Sequence, residues 1–180
     1  RLEGGRGKTE CWYILKAEEG AFLYLGFKAS VTKEDFVRAI EKGNAETLLN
    51  RVPVKAGDFF FVPAGTVHAI GKGILIAELQ QSCDTTYRVY DYNRRDKNGN
   101  LRPLHIEKAM LSSSFEPYKN VTVKKLSDTR ERLCSSKYFT LDRVKLSGTE
   151  REETIGKYML IFIESGSFAI TLGDEKVTAA

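Results

Sequence analysis

Five side chains in the first half of the chain are of the types that handle protons, metals and anions: Lys8, Glu10, His68, Glu78 and Arg88. Glu10 opens the run Glu10-Cys11-Trp12-Tyr13-Ile14-Leu15. A carboxylate in so apolar a run is costly to bury unless it is paired or bound to a cation, although a strand-end glutamate can also face water. Lys8 falls on the same face if the extended register reaches back two residues. His68 ends the pattern Gly57-x5-Pro63-x4-His68, in which a strand, a Pro-Gly turn and the start of a return strand aim one imidazole at a common mouth. Read alone, a histidine after a turn is more often structural than a ligand. Glu78 shares a face with Gln80, and its apolar neighbours would favour a general-base role; an ion pair with a nearby Lys or Arg accounts for it equally. The planar, permanently charged fork of Arg88 suits an anion, or a surface pairing with Asp84 or Asp91. His68 and His105 are the two histidines, so a metal here needs carboxylate or amide ligands as well.

Strands must position these groups. Glu10 to Leu15 alternates apolar residues on both faces and reads as a strand buried on both sides. Ala21 to Phe27 is a second strand, and Glu18-Glu19-Gly20 between them reads as a hairpin turn. Thr32 followed by Asp35 forms a helix N-cap signature, with Phe36, Val37 and Ile40 on one face and Gly43 as the stop. Asn44 is placed to cap a shorter helix through Leu49. These helices, about 32–50, interrupt a strand-rich chain as an insertion. Strands resume from Val52 to Leu79. Asp96 to Asn100 is a turn, and a short helix covers about His105 to Leu111. Beyond Ser112-Ser113-Ser114, strands are expected at Val121–Leu126, Tyr138–Leu146, Tyr158–Glu164 and Phe168–Leu172. The pattern predicts an all-β protein: a cupin or jelly-roll β-barrel with a small helical insertion over 1–114, then a second, incomplete β-sandwich domain over 115–180.

Composition bounds the function. The chain has 180 residues, 42% hydrophobic, with 10 Phe and 8 Tyr, enough for a sizeable core and against disorder. The net charge of +4 comes without a basic cluster, which argues against a nucleic-acid surface and is compatible with a small anionic substrate. No run of 18 apolar residues predicts a membrane span. Cys11, Cys83 and Cys134 are odd in number and widely spaced, as for free thiols in a reducing cytoplasm.

Three ordered blocks carry a family resemblance: Gly7 to Leu15 (GKTECWYIL), Val52 to Arg94 around the Gly57–His68 motif, and Leu104 to Met110 (LHIEKAM). Together they resemble type I mannose-6-phosphate isomerase in its short, bacillus-like form, within the cupin superfamily. The usual Asn four residues after the cupin histidine is Lys72 here. The resemblance implies an aldose–ketose isomerase that interconverts mannose 6-phosphate and fructose 6-phosphate with one zinc ion. It implies Glu10 and His68 as metal ligands and Arg88 as a catalytic, substrate-binding arginine. It further implies Glu78 as first choice for the proton-transfer base, with Lys8 as second choice and substrate contact. The family's remaining ligands, a Gln-x-His pair, are expected shortly before Lys8, and no Gln-x-His occurs in the sequence. The chain is therefore expected to lack a segment at each end. The implied partner is a sugar phosphate, with a homodimer left open. A non-catalytic, sugar-sensing or structural cupin is the alternative; an iron dioxygenase lacks its histidine-rich first motif.

Overall fold

The computed structural model describes residues 7–29, 31–92, 94–154 and 156–179. Contacts divide the chain into two compact units, Arg1–Arg143 and Val144–Ala180. The first unit is built on two three-stranded antiparallel sheets. One has the order β4 (Phe59–Val62), β1 (Glu10–Ala17), β6 (Ile74–Gln80); the other has the order β3 (Leu49–Pro53), β2 (Phe22–Phe27), β5 (His68–Ile70). Trp12 and Ile14 of β1 and Phe60 and Val62 of β4 pack against Leu23 and Leu25 of β2, forming the core between the sheets. The alternation of β1 places Cys11 and Tyr13 on its other face. There they meet Phe59 and, from a third sheet, Leu133 and Cys134. That sheet comprises β7 (Lys124–Lys125), β8 (Arg130–Ser135) and β9 (Thr140–Val144). The third layer is why β1 is buried on both faces, as its sequence predicts. Cys11, Cys83 and Cys134 are free thiols, and the contact with Cys134, together with burial, pushes the Cys11 thiol up.

The expected helical insertion is present. Helix α1 (Lys33–Glu41) begins at Thr32, whose hydroxyl accepts the Asp35 N–H at 3.1 Å while the Asp35 carboxylate takes the Thr32 N–H. A 3-10 helix over Ala45–Leu48 follows, but the Asn44 side chain makes no cap hydrogen bond; the Asn44 backbone carbonyl accepts from Thr47 instead. Phe36 and Ile40 bury against Phe27, whose ring stacks on Phe115 with centroids 4.8 Å apart. Helix α2 spans Ile106–Ser112. Among the described residues no helix is long and apolar enough to cross a membrane.

Two expectations are corrected, and one strand appears where none was expected. Glu18 to Gly20 does turn the chain, with Ala21 N–H donating to Glu18 O at 3.1 Å, but it makes no hairpin. Strands β1 and β2 belong to different sheets, so the turn carries the chain across the core. Strand β8 lies in a charged run, Arg130-Glu131-Arg132, that carries no apolar alternation; its charges are met across the ladder, Arg132 by Asp142 at 2.9 Å and Arg143 by Glu131 at 3.0 Å. In the second unit β10 (Phe168–Leu172) and β11 (Glu175–Ala179) form a hairpin through Gly173-Asp174. The expected strand at Tyr158–Glu164 does not form among the described residues, and Tyr158, Leu160 and Phe162 are exposed.

The third layer makes a test. Leu133→Ala should destabilise the fold by about 2–5 kcal/mol in urea unfolding, the range for emptying a buried leucine site. A loss below about 0.5 kcal/mol would show that β8 does not belong to the core.

Candidate functional site

Four of the five predicted residues meet at one end of the two-sheet core. On β1, Glu10 is opposite Gln80 of β6 and Val62 of β4, and Trp12 is opposite Glu78. From the facing sheet, His68 enters opposite Leu25. The Glu10 side chain is 1% exposed. Its Oε1 lies 3.2 Å from His68 Nε2 and its Oε2 lies 2.8 Å from Lys8 Nζ. Oε2 is met by the Lys8 ammonium, while among the described residues no hydrogen bond reaches Oε1. Lys8 Nζ also lies 3.6 Å from Glu78 Oε1.

The His68 ring is oriented from behind. Its Nδ1 sits 2.9 Å from Thr66 O, and a carbonyl only accepts, so Nδ1 carries the proton. In the neutral ring Nε2 is then an acceptor, and it lies 3.2 Å from a carboxylate oxygen that is also an acceptor. Such a pair repels unless a proton or a cation lies between them. The Trp12 ring presses edge-on against the imidazole, centroids 4.9 Å apart. The turn before His68 depends on Gly65, at φ +89°, where a Cβ would lie 2.6 Å from Ser112 O. Glu10 and His68 are the residues here that could hold a metal ion. Among the described residues no group of three or more His, Cys, Asp or Glu forms such a site.

Charge assigns the other two. Partial burial would lower the Lys8 pKa, but contact with Glu10 and the charges of Glu10 and Glu78 outweigh it and raise it. Lys8 is therefore an ammonium in this arrangement, suited to donating a proton or meeting an anion; it would act as a base only after losing its proton. Glu78 lies on an edge strand and its side chain is 35% exposed, so its apolar neighbours do not enclose it.

Arg88 stands apart. Among the described residues no hydrogen bond or ion pair joins it to the other four. It does not pair with Asp84 or Asp91; its guanidinium Nη1 donates to Pro103 O at 3.3 Å. Asp91 is taken by Arg102, at 2.7 Å to each carboxylate oxygen, and by Arg94. Two positioning contacts carry no sequence signal, because each joins irregular chain to a residue far along it. The Gln81 side chain accepts the Thr9 N–H at 2.9 Å while Gln81 N–H donates to Thr9 O at 2.9 Å, clamping the chain between Lys8 and Glu10. His105 does the same for the backbone of Arg88. Two surface concavities, of about 420 and 630 Å³, are lined by none of the five predicted residues.

No family model matches the chain. Curated relatives do. A mannose-6-phosphate isomerase of Streptococcus mutans is 45% identical over 97% of this chain and 56% of its own length. One of Bacillus subtilis is 42% identical over 95% of this chain and 55% of its own length. The crystal structure of a Bacillus subtilis mannose 6-phosphate isomerase superposes with a TM-score of 0.71 at 38% identity, covering 82% of this chain and 48% of that one. A structure from Archaeoglobus fulgidus, with a TM-score of 0.52 at 18% identity, shares the fold alone. The chain spans about half the length of the curated relatives it matches. The all-β, cupin-like architecture expected from the sequence is the one these structures share.

The hydrogen bonds from Arg102, with those from Arg94, hold the Asp91 carboxyl well below the usual carboxylate range despite its burial. A depressed folded pKa contributes stability that is complete above the unfolded value of about 3.9 and is lost as pH falls below it. Urea unfolding should therefore show Asp91→Asn less stable than the parent by a constant amount above about pH 5, with the gap closing below about pH 4. A gap that does not change with pH would refute the pairing.

Proposed function

We propose that this chain, a homologue of the mannose-6-phosphate isomerases over nearly all of its length, carries part of a zinc site and the proton-transfer groups of an aldose–ketose isomerase acting on mannose 6-phosphate and fructose 6-phosphate. The observation that supports this best is the buried Glu10 carboxylate, whose Oε1 has no hydrogen bond among the described residues and lies 3.2 Å from His68 Nε2. Two ligand atoms of a tetrahedral ion, each at about 2.1 Å, are separated by roughly 3.4 Å, close to the spacing found. Glu10 and His68 would thus hold one zinc per chain; of the four ligands the resemblance implies, they are the two this sequence contains. A zinc ion bound there would supply Lewis acidity toward the sugar's carbonyl and hydroxyl oxygens.

The chain's own residues do the rest. Glu78, open to the site, moves a proton between C1 and C2 of the sugar through its enediolate. The Lys8 ammonium, held between Glu10 and Glu78, presents a positive charge to the reacting oxygens or the phosphate. The Arg88 guanidinium stabilises the negative charge that develops on those oxygens, a role taken from the resemblance. No observation favours the non-catalytic alternative.

Two measurements on the intact protein test this reading. Glu10→Gln should lose stoichiometric zinc by elemental analysis; full retention would remove Glu10 from the ligand set. Arg88→Ala should keep its zinc and lose turnover of mannose 6-phosphate by on the order of 100-fold or more in a coupled assay. Near-normal turnover would remove Arg88 from the mechanism.

A further inference from the structure

Arg88 lies in the irregular stretch between β6 and α2, residues 81–105, where the described residues form a single isolated bridge, Arg95 to Leu101. A side chain that must meet charge as it develops cannot hang loosely from such a segment. A misplacement of about 1 Å can cost on the order of 100-fold in rate. The contacts around Arg88 show how its backbone is held. His105 Nδ1 accepts the Arg88 N–H at 3.1 Å, and the His105 N–H donates to Arg88 O at 2.7 Å. One residue thus closes both peptide groups of Arg88, and the guanidinium extends from that fixed point, where its Nη1 donates to Pro103 O at 3.3 Å.

A second observation bears on the same pairing. His105 occupies the N-cap position of α2, yet its side chain makes no cap hydrogen bond. The ring is turned toward Arg88 instead, while the His105 carbonyl accepts from Ala109 at 2.9 Å and roots the residue in the helix. Because Nδ1 accepts, the neutral ring carries its proton on Nε2. The helix therefore anchors the arginine through one imidazole.

We propose that His105 is a positioning residue for Arg88, its Nδ1 holding the arginine backbone where the guanidinium can act on the substrate. The proposal rests on the reading of Arg88 given above. It also gives the second histidine of the chain a role that is neither metal ligation nor helix capping.

The test is a double-mutant cycle on the intact protein, with turnover of mannose 6-phosphate and zinc content as readouts. His105→Ala should lower kcat roughly 10- to 100-fold with little change in KM and no loss of zinc, because the arginine acts only as charge develops. In an Arg88→Ala background, the same change should cost less than about two-fold, since residues that act as a unit are not additive. His105→Asn, whose side-chain oxygen can accept the same N–H, should recover much of the lost turnover. Should His105→Ala fail to fold, His105→Phe keeps a ring without an acceptor and takes its place in the cycle. Additive losses, or normal kcat in His105→Ala beside an impaired Arg88→Ala, would overturn the proposal and leave the role of Arg88 standing. Normal turnover in Arg88→Ala alone would overturn both.

Discussion

A carboxylate buried between one ammonium and one imidazole is the constraint to which the rest of the site answers. Glu10 is 1% exposed and its nearest polar neighbours are an imidazole nitrogen and an ammonium. Removing such a charge from water costs several kcal/mol unless opposite charge repays it. Lys8 supplies part of that charge from one side. On the other side two acceptor atoms, His68 Nε2 and Glu10 Oε1, lie 3.2 Å apart, a repulsion that a cation or proton between them would relieve. The architecture holds these partners in opposition. Strand β1 is the middle strand of its sheet, gripped by two neighbours and covered by packing on both faces, so Glu10 cannot swing out to solvent. His68 comes from the opposite sheet, and its turn is closed against the end of α2 through Gly65.

Much of this was legible in the sequence, for reasons that can be named. The alternation of Glu10 to Leu15 carries the two-sided burial of β1 directly, because side chains in a strand repeat every second residue. The Thr32–Asp35 capping box announces α1 because its hydrogen bonds are local. Lys8 and Glu10 share a face by spacing alone, and the Gly57–Pro63–His68 motif fixes where one imidazole enters. The resemblance then joined residues that spacing could not, Glu10 and His68 in particular.

The failures are tertiary. Nothing in Glu18-Glu19-Gly20 says whether the strands it joins will pair or part, since a turn encodes reversal and not partnership. The apolar run from Tyr158 to Glu164 has strand composition, but a strand also needs a neighbour, and none forms among the described residues. Conversely Arg130-Glu131-Arg132 lacks strand composition and is a strand, because Asp142 and Arg143 on the next strand match its charges. The contacts of His105 with Arg88 and of Gln81 with Thr9 escape any pattern, as each links irregular chain to a distant residue.

Glu10 and Arg88, the two parts of the proposed site, are anchored unequally, with a consequence for how the proposed activity would be lost. Amides of β1 sit in a doubly paired, doubly covered strand, and such amides exchange with solvent only when the whole unit opens. The segment around Arg88 is held by a handful of contacts on irregular chain and belongs with the regions that open at low free-energy cost. Warming should therefore release the arginine while Glu10 and His68 are still in place. On the proposed role of Arg88, turnover would fade over a range of temperatures in which the fold is still intact.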